Sequence, residues 1–146
     1  MRQSLTIVYT TARHEPRIEW FLDSLYRQPD GPSCKVIVVD PFRKPAENAS
    51  VRVVNPKPTV WQGPYRLTKQ DWWAASNARN TGICLCDTDW VGFVDDRSVL
   101  IETWLEAVKA AKVGDRVRLE WVEGEGYNIT MFEVLKKKKD EDKKDK

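Results

Sequence analysis

Four short apolar runs rich in β-branched residues constrain this chain more than any other feature of its sequence. Leu5-Thr6-Ile7-Val8-Tyr9 stops at Thr10 and Thr11, Lys35 to Val39 stops at Asp40 and Pro41, and Trp90 to Val94 stops at Asp95 and Asp96. Val51 to Val54 is a shorter run of the same kind. Runs of this length and composition read as buried strands. Between them the apolar period changes. Ile18, Phe21, Leu22, Leu25 and Tyr26 recur at helical spacing, which predicts an amphipathic helix over Glu15 to Arg27. Pro16 suits its first turn, where a missing N–H costs nothing.

Pro29-Asp30-Gly31-Pro32 breaks that helix, and the stretch from Asn55 to Lys69, with Trp61, Gly63, Pro64 and Tyr65, reads as a sizeable loop. A second helix is expected from Thr68 to Ile83, with Asp71 near its start. Leu100, Trp104, Leu105, Val108 and Ala111 mark the stripe of a third. The order β-α-β-β-α-β-α predicts an α/β fold: a mostly parallel, Rossmann-like sheet flanked by helices. After Lys112 the pattern alternates. Arg116 to Trp121, a turn at Gly124-Glu125-Gly126 and a return from Tyr127 to Leu135 predict a β-hairpin. The last eleven residues are Lys, Asp and Glu only and are expected to be disordered. The expected organisation is one domain over residues 1–135 and a charged tail over 136–146.

A chain of 146 residues is long enough for one domain with a core of its own. The formal charge of +2 hides an asymmetry. The tail from Lys136 holds seven lysines against four acids, which leaves −1 for everything before it. A near-neutral domain disfavours duplex nucleic acid as a partner, since that would want clustered Lys and Arg on the domain itself. Three cysteines (Cys34, Cys84, Cys86) and one histidine (His14) are a poor zinc kit, and the two thiols near residue 85 are expected to pack as small hydrophobes. No charged-then-apolar leader precedes Leu5, and no apolar run approaches spanning length. A cytoplasmic protein without a membrane span is the expectation.

In an open parallel sheet, ligands bind outside the carboxyl ends of the strands. Thr10, Thr11 and Arg13 follow the first strand, Asp40 the second, and Asp95 with Asp96 the fourth. Two adjacent carboxylates repel unless a cation or strong donors sit beside them. Hard ions such as Mg²⁺ or Mn²⁺ take carboxylate oxygens and complete their shell with water and phosphate. The alternative is that the pair caps the helix that follows. Asp40 reads as an acceptor for a base N–H or a ribose hydroxyl, or as a plain turn residue. Arg79 reads as a diphosphate ligand or a solvated helix arginine. Trp61 and the Trp72-Trp73 pair read as packing residues or as a sugar platform. The sequence holds no Walker loop, no G-x-G-x-x-G and no G-x-S-x-G.

Taken in order, Leu5-Thr-Ile-Val-Tyr-Thr-Thr-Ala-Arg13, Phe21-Leu-Asp-Ser-Leu-Tyr-Arg-Gln28, Val36-Ile-Val-Val-Asp40, Asn77-Ala-Arg-Asn-Thr-Gly-Ile83 and Trp90-Val-Gly-Phe-Val-Asp-Asp96, running on to Trp104-Leu105, resemble the amino-terminal half of a family-2 glycosyltransferase with the GT-A fold. The stretch from Lys57 to Asp96 is similar in particular to small glycosyltransferase-like proteins of bacteria and their phages. The resemblance spans about residues 4–112. It implies a nucleotide-diphosphate sugar donor, an unknown acceptor, and Mn²⁺ or Mg²⁺ as the cofactor. It implies a nucleobase contact for Thr10, base and ribose contacts for Asp40, and a place near the nucleotide for Arg79 and Asn80. It assigns Asp95 and Asp96 to ribose and to the metal that bridges the diphosphate. Two positions depart from the family pattern: Pro41 stands where a second acid is common, and Arg13 where Asn is common. The family's acceptor half would follow the third helix, where this sequence has the hairpin; Glu120, Glu123 and Glu125 are the carboxylates there, and none is singled out as a catalytic base. Other readings stay open: a non-catalytic module of the same fold that binds a nucleotide sugar or a partner protein, and a nucleic-acid module gripping through hairpin and tail. An open sheet edge at the hairpin would allow a homodimer.

Overall fold

The computed structural model describes residues 4–57 and 75–112, and the backbone of 116–124 and 127–135. Strand β1 (Leu5–Thr10) is buried at every position and lies within a mixed sheet of five strands. β2 (Lys35–Val39) and β5 (Trp90–Asp95) flank it, both parallel to it. β4 (Val51–Val54) runs parallel on β2, and the two-residue β3 (Ala46–Glu47) adds an antiparallel edge. Three helices accompany this sheet among the described residues: α1 (Ile18–Tyr26), α2 (Ala75–Cys84) and α3 (Trp104–Ala110). The fold is α/β.

Strand alternation divides the core in two. Ile7, Tyr9, Val36 and Val38 share a cluster with Phe21 and Leu25 of α1 and with Trp104 and Leu105 of α3. Val8, Ile37 and Val39 belong to a second cluster, closed by Ala78 of α2. Each such side chain taken out of water contributes about 1.5–3 kcal/mol. That is why the apolar runs could be read as strands at all.

The four expected strands form, and so does the hairpin. Two readings need correction. The first helix starts at Ile18, not Glu15, because Arg17 takes a left-handed conformation (φ 58°, ψ 42°) immediately before it. Pro16 therefore stands outside the helix. Its carbonyl accepts from Tyr9 Oη at 2.8 Å and from the N–H of Arg97 at 3.0 Å. Arg97 is itself left-handed, at φ 56°. Such a backbone costs roughly 1–2 kcal/mol for a non-glycine residue, and these bonds hold both turns in place.

The second correction concerns Leu100, which lies not on the third helix but on a strand, β6 (Ser98–Leu100), with Ala111 just past the helix end. Its spacing to Trp104 mimics a helical turn, but its backbone pairs in parallel with β8 (Tyr127–Leu135). β8 pairs antiparallel with β7 (Arg116–Gly124), and the three form a second sheet in the order β6-β8-β7. Residues 1–3, 58–74, 113–115, 125–126 and 136–146 lie outside the described residues. With them go Trp61, Gly63, Pro64, Tyr65, Asp71, Trp72, Trp73, Glu125, Gly126 and the lysine-rich tail. No helix among the described residues is long and apolar enough to cross a membrane.

Ser24 of α1 and Gln28, two residues past its end, fasten the second sheet and α3 to the first. Ser24 Oγ accepts the N–H of Leu100 at 2.9 Å. Buried Gln28 donates to the carbonyl of Ser24 at 3.1 Å and accepts the N–H of Leu105 at 2.7 Å. Helix α3 has no side-chain cap of its own at Thr103, so Gln28 supplies one from 77 residues away. Gln28→Met keeps the length but neither bond, leaving a buried N–H without a partner. It is expected to cost about 1–3 kcal/mol in urea unfolding, with unchanged stability as the contrary result.

Candidate functional site

The strand order places three polar strand ends side by side. From β1 the chain moves outward to β2 and β4, and then returns to β5 on the other side of β1. In open α/β sheets such a reversal leaves a crevice at the carboxyl ends, where ligands bind. Here it falls between Thr10 and Asp95, which face each other in register.

Two charge pairs stand at this edge. Asp95 Oδ1 accepts from Thr10 Oγ1 at 3.3 Å and from an Arg79 guanidinium nitrogen at 3.0 Å. Asp96 Oδ2 accepts from Thr11 Oγ1 at 3.0 Å and pairs with Arg13 Nε, also at 3.0 Å. The Arg13 N–H donates in turn to Thr11 Oγ1 at 3.1 Å. Asp95 is 67% exposed and Arg79 40%, whereas Asp96 is 18% exposed against 57% for Arg13. An exposed pair such as Arg79–Asp95 contributes about 0–1 kcal/mol, so the Arg79 guanidinium can exchange its carboxylate for another anion at little cost, whereas the Arg13–Asp96 pair is more buried on its carboxylate side.

On the other side of β1, Asp40 is fully buried. Its Oδ1 accepts the N–H groups of Phe42 at 2.8 Å and Arg43 at 3.2 Å, so it builds the turn after β2. Arg43 Nε lies 3.3 Å from Oδ2, near enough for an ion pair. It is not aimed to donate, and Oδ2 has no hydrogen bond among the described residues. A buried polar atom left in that state is costly and calls for a donor.

The structure thus brings Thr10 and Arg79 to Asp95, and Thr11 and Arg13 to Asp96, while Asp40 ends the neighbouring strand with contacts of its own to Phe42 and Arg43. Asn80 is exposed on α2, beside Arg79, and shares none of these contacts. Glu120 and Glu123 fall on β7, opposite Met131 and Asn128. Sequence reasoning missed the role of Thr11, and it missed Tyr9, whose hydroxyl accepts the N–H of Arg97 at 3.1 Å just past the aspartate pair. Burial raises the Tyr9 phenol well above its ordinary value; the Arg97 N–H opposes the shift, while Asp96 and Glu19 add to it. A tyrosine inside an otherwise aliphatic run was the available signal. The two thiols divide: Cys84 is exposed at the end of α2, against expectation, while half-buried Cys86 packs against the second core cluster as a small hydrophobe, its thiol raised by burial and donating to the Gly82 carbonyl.

The residues can be tested against a divalent cation. Among those described, no three His, Cys, Asp or Glu side chains gather as a metal cage. Asp95 finds its partners on β1 and α2, and Asp96 in the turn after β1, so the two carboxylates serve separate sets of donors. A Mg²⁺ or Mn²⁺ ion at this edge would therefore have the exposed carboxylate of Asp95 as its protein ligand and would take the rest of its shell from water and other oxygens. Compared with protein-family models, curated proteins and solved structures, the chain matches none.

Proposed function

We propose that this chain binds a nucleotide-diphosphate sugar at the edge between β1 and β5 and transfers the sugar to an acceptor. On this reading it is a metal-dependent glycosyltransferase of the GT-A kind, or the donor-binding half of one. The observation that carries the reading is the pair of exposed arginines, Arg79 and Arg13, held against Asp95 and Asp96 at the reversal of strand order. Arginine matches a diphosphate bidentately, and the carboxylates keep both arginines at the edge until a phosphate replaces them. Thr10, between Asp95 and the end of β2, would lie against the nucleoside. A cation at Asp95 would supply Lewis-acid stabilisation of the leaving diphosphate.

Calorimetry with UDP, GDP and their sugar conjugates, with and without Mn²⁺, tests this. Wild-type protein is expected to bind at least one of them more tightly with the metal. Asp95→Asn should abolish the metal dependence. Arg79→Met should weaken binding roughly tenfold or more, the worth of a charge-assisted hydrogen bond. A folded wild type that binds none of these ligands overturns the proposal. Binding without release of free nucleotide, for any acceptor sugar tried, would instead favour a non-catalytic binding module.

A further inference from the structure

Arg97, the residue after the aspartate pair, carries a charge that the fold leaves unmatched. Its N–H donates to Tyr9 Oη at 3.1 Å and to the Pro16 carbonyl at 3.0 Å, which fixes the turn between β5 and β6 at φ 56°. Glycine would take that backbone without strain; a long cationic side chain stands there instead. That side chain is partly buried. Its Nε is shielded from solvent and has no hydrogen-bond partner, while the two terminal nitrogens of the fork stay open to solvent. The neighbouring arginines are each matched: Arg13 by Asp96, Arg43 by Asp40 and Arg79 by Asp95. Arg97 has no such carboxylate among the described residues. A guanidinium does not shed its proton, so the charge persists in a setting where charges are ordinarily paired. A shielded stem and an open, planar fork of donors make a fixed receptor for a carboxylate or a phosphate.

We infer that Arg97 receives an oxyanion that the substrate carries in addition to its diphosphate, an assignment whose place in the reaction rests on the donor-site reading above. The diphosphate has Arg79 and Arg13 for its own charge. Arg97 follows them in the turn that leads from the first sheet into β6, so the group it holds belongs to the transferred sugar or to the acceptor. A neutral partner leaves the guanidinium unmatched, and the position selects against it.

Urea unfolding of the full chain in inorganic phosphate, against chloride at matched ionic strength, tests the site without any nucleotide. The wild-type midpoint is expected to rise with phosphate. Arg97→Met should hold phosphate roughly tenfold or more weakly, and the difference between the two proteins removes the general effect of phosphate on folding. Arg79→Met should keep the part of the response that Arg97 provides. Should Arg97→Met fail to fold, the shielded Nε–H resonance of Arg97 in wild type is expected to shift as phosphate is added. A resonance that stays put, or an Arg97→Met variant that responds as fully as wild type, overturns the inference. Calorimetry in Mn²⁺ with UDP-glucuronate and UDP-glucose, or with GDP-mannuronate and GDP-mannose, then reads the source. A tenfold preference for the acidic conjugate that vanishes in Arg97→Met puts the oxyanion on the sugar. Equal binding, with phosphate still held when the conjugate saturates, puts it on the acceptor. Phosphate displaced by the neutral conjugate shows that Arg97 serves the diphosphate itself and overturns the second oxyanion. If no nucleotide binds while the phosphate response still depends on Arg97, the donor-site reading fails and the oxyanion site stands.

Discussion

Alanine in place of Gly82 is expected to destabilise the fold by about 2 kcal/mol, although alanine is the better helix former. A Cβ at this position would lie 2.3 Å from Val8 Cγ1 and 2.8 Å from Cγ2. Those methyls belong to β1 and are fully buried, so they cannot swing away as a surface side chain would. Overpacking of this kind costs about 1–3 kcal/mol and sometimes more, against a gain of about 1 kcal/mol in helix propensity. The steric cost wins. The melting temperature should fall by roughly 3–5 °C per kcal/mol for a chain of this size. Because α2 also carries Arg79, a displaced helix should loosen the Arg79–Asp95 pair and weaken nucleotide binding. A double-mutant cycle with Val8→Ala checks the cause, since removing the methyls makes room for the new one. The combined loss should be smaller than the sum of the single losses by about 1–3 kcal/mol. Strict additivity would show that the two residues do not collide.

Above pH 10 the protein is expected to lose stability in a way that Tyr9→Phe does not. Burial disfavours the phenolate of Tyr9, raising its proton affinity well above the ordinary value of 10.0. The unfolded chain therefore releases this proton first as pH rises. The stabilisation is complete below about pH 10 and is lost progressively as pH climbs toward the folded-state value. The slope is about 1.4 kcal/mol per pH unit, or ~3 kcal/mol at pH 12 relative to neutral. Tyr9→Phe should be weaker at pH 7 by about 1–2 kcal/mol, because the hydroxyl bonds both Pro16 and Arg97. Its alkaline limb should nevertheless be flatter, so the two profiles meet at about pH 11 and cross above it. Urea unfolding of both proteins from pH 7 to 12 measures the difference, in which titrations shared by both cancel. Parallel profiles would mean that the phenol is ionised as easily in the fold as out of it.

β1 and β2 were legible because they are buried on both faces, and burial on both faces demands unbroken apolar runs; β4 and β5 are more exposed and were legible from their β-branched and aromatic residues. The grouping of Thr10, Asp95 and Arg79 was foreseeable for a related reason: a buried strand has to end at the surface, and polar residues mark where. What escaped was decided by contacts distant in sequence. Nothing local announces β6, which has three residues and a partner beginning at Tyr127. Nothing near Arg17 forces a positive φ; the bonds that stabilise that turn come from Tyr9 and Arg97. His14, in the turn after β1, stacks on Phe42, in the turn after β2, and neither loop alone gives a sign of it. Asp40 was legible as a strand-end residue, but its unsatisfied oxygen is a property of packing and could not be read from its neighbours in the chain.

The bonds from Ser24 and Gln28 to the backbone of Leu100 and Leu105 also impose an order on synthesis. During translation α1 and the turn that follows it leave the ribosome more than 70 residues before the groups they must receive. Until then its polar side chains face water, and β1, α1 and β2 can assemble with those positions solvated. The segment from Ser98 onward has no such freedom. Its backbone N–H groups become buried only where α1 already presents acceptors, so the carboxyl-terminal part docks onto a template rather than folding beside it. A nascent chain paused before residue 98 should therefore already protect β1 and β2 from proteolysis, while a fragment starting there would have nothing to fold against.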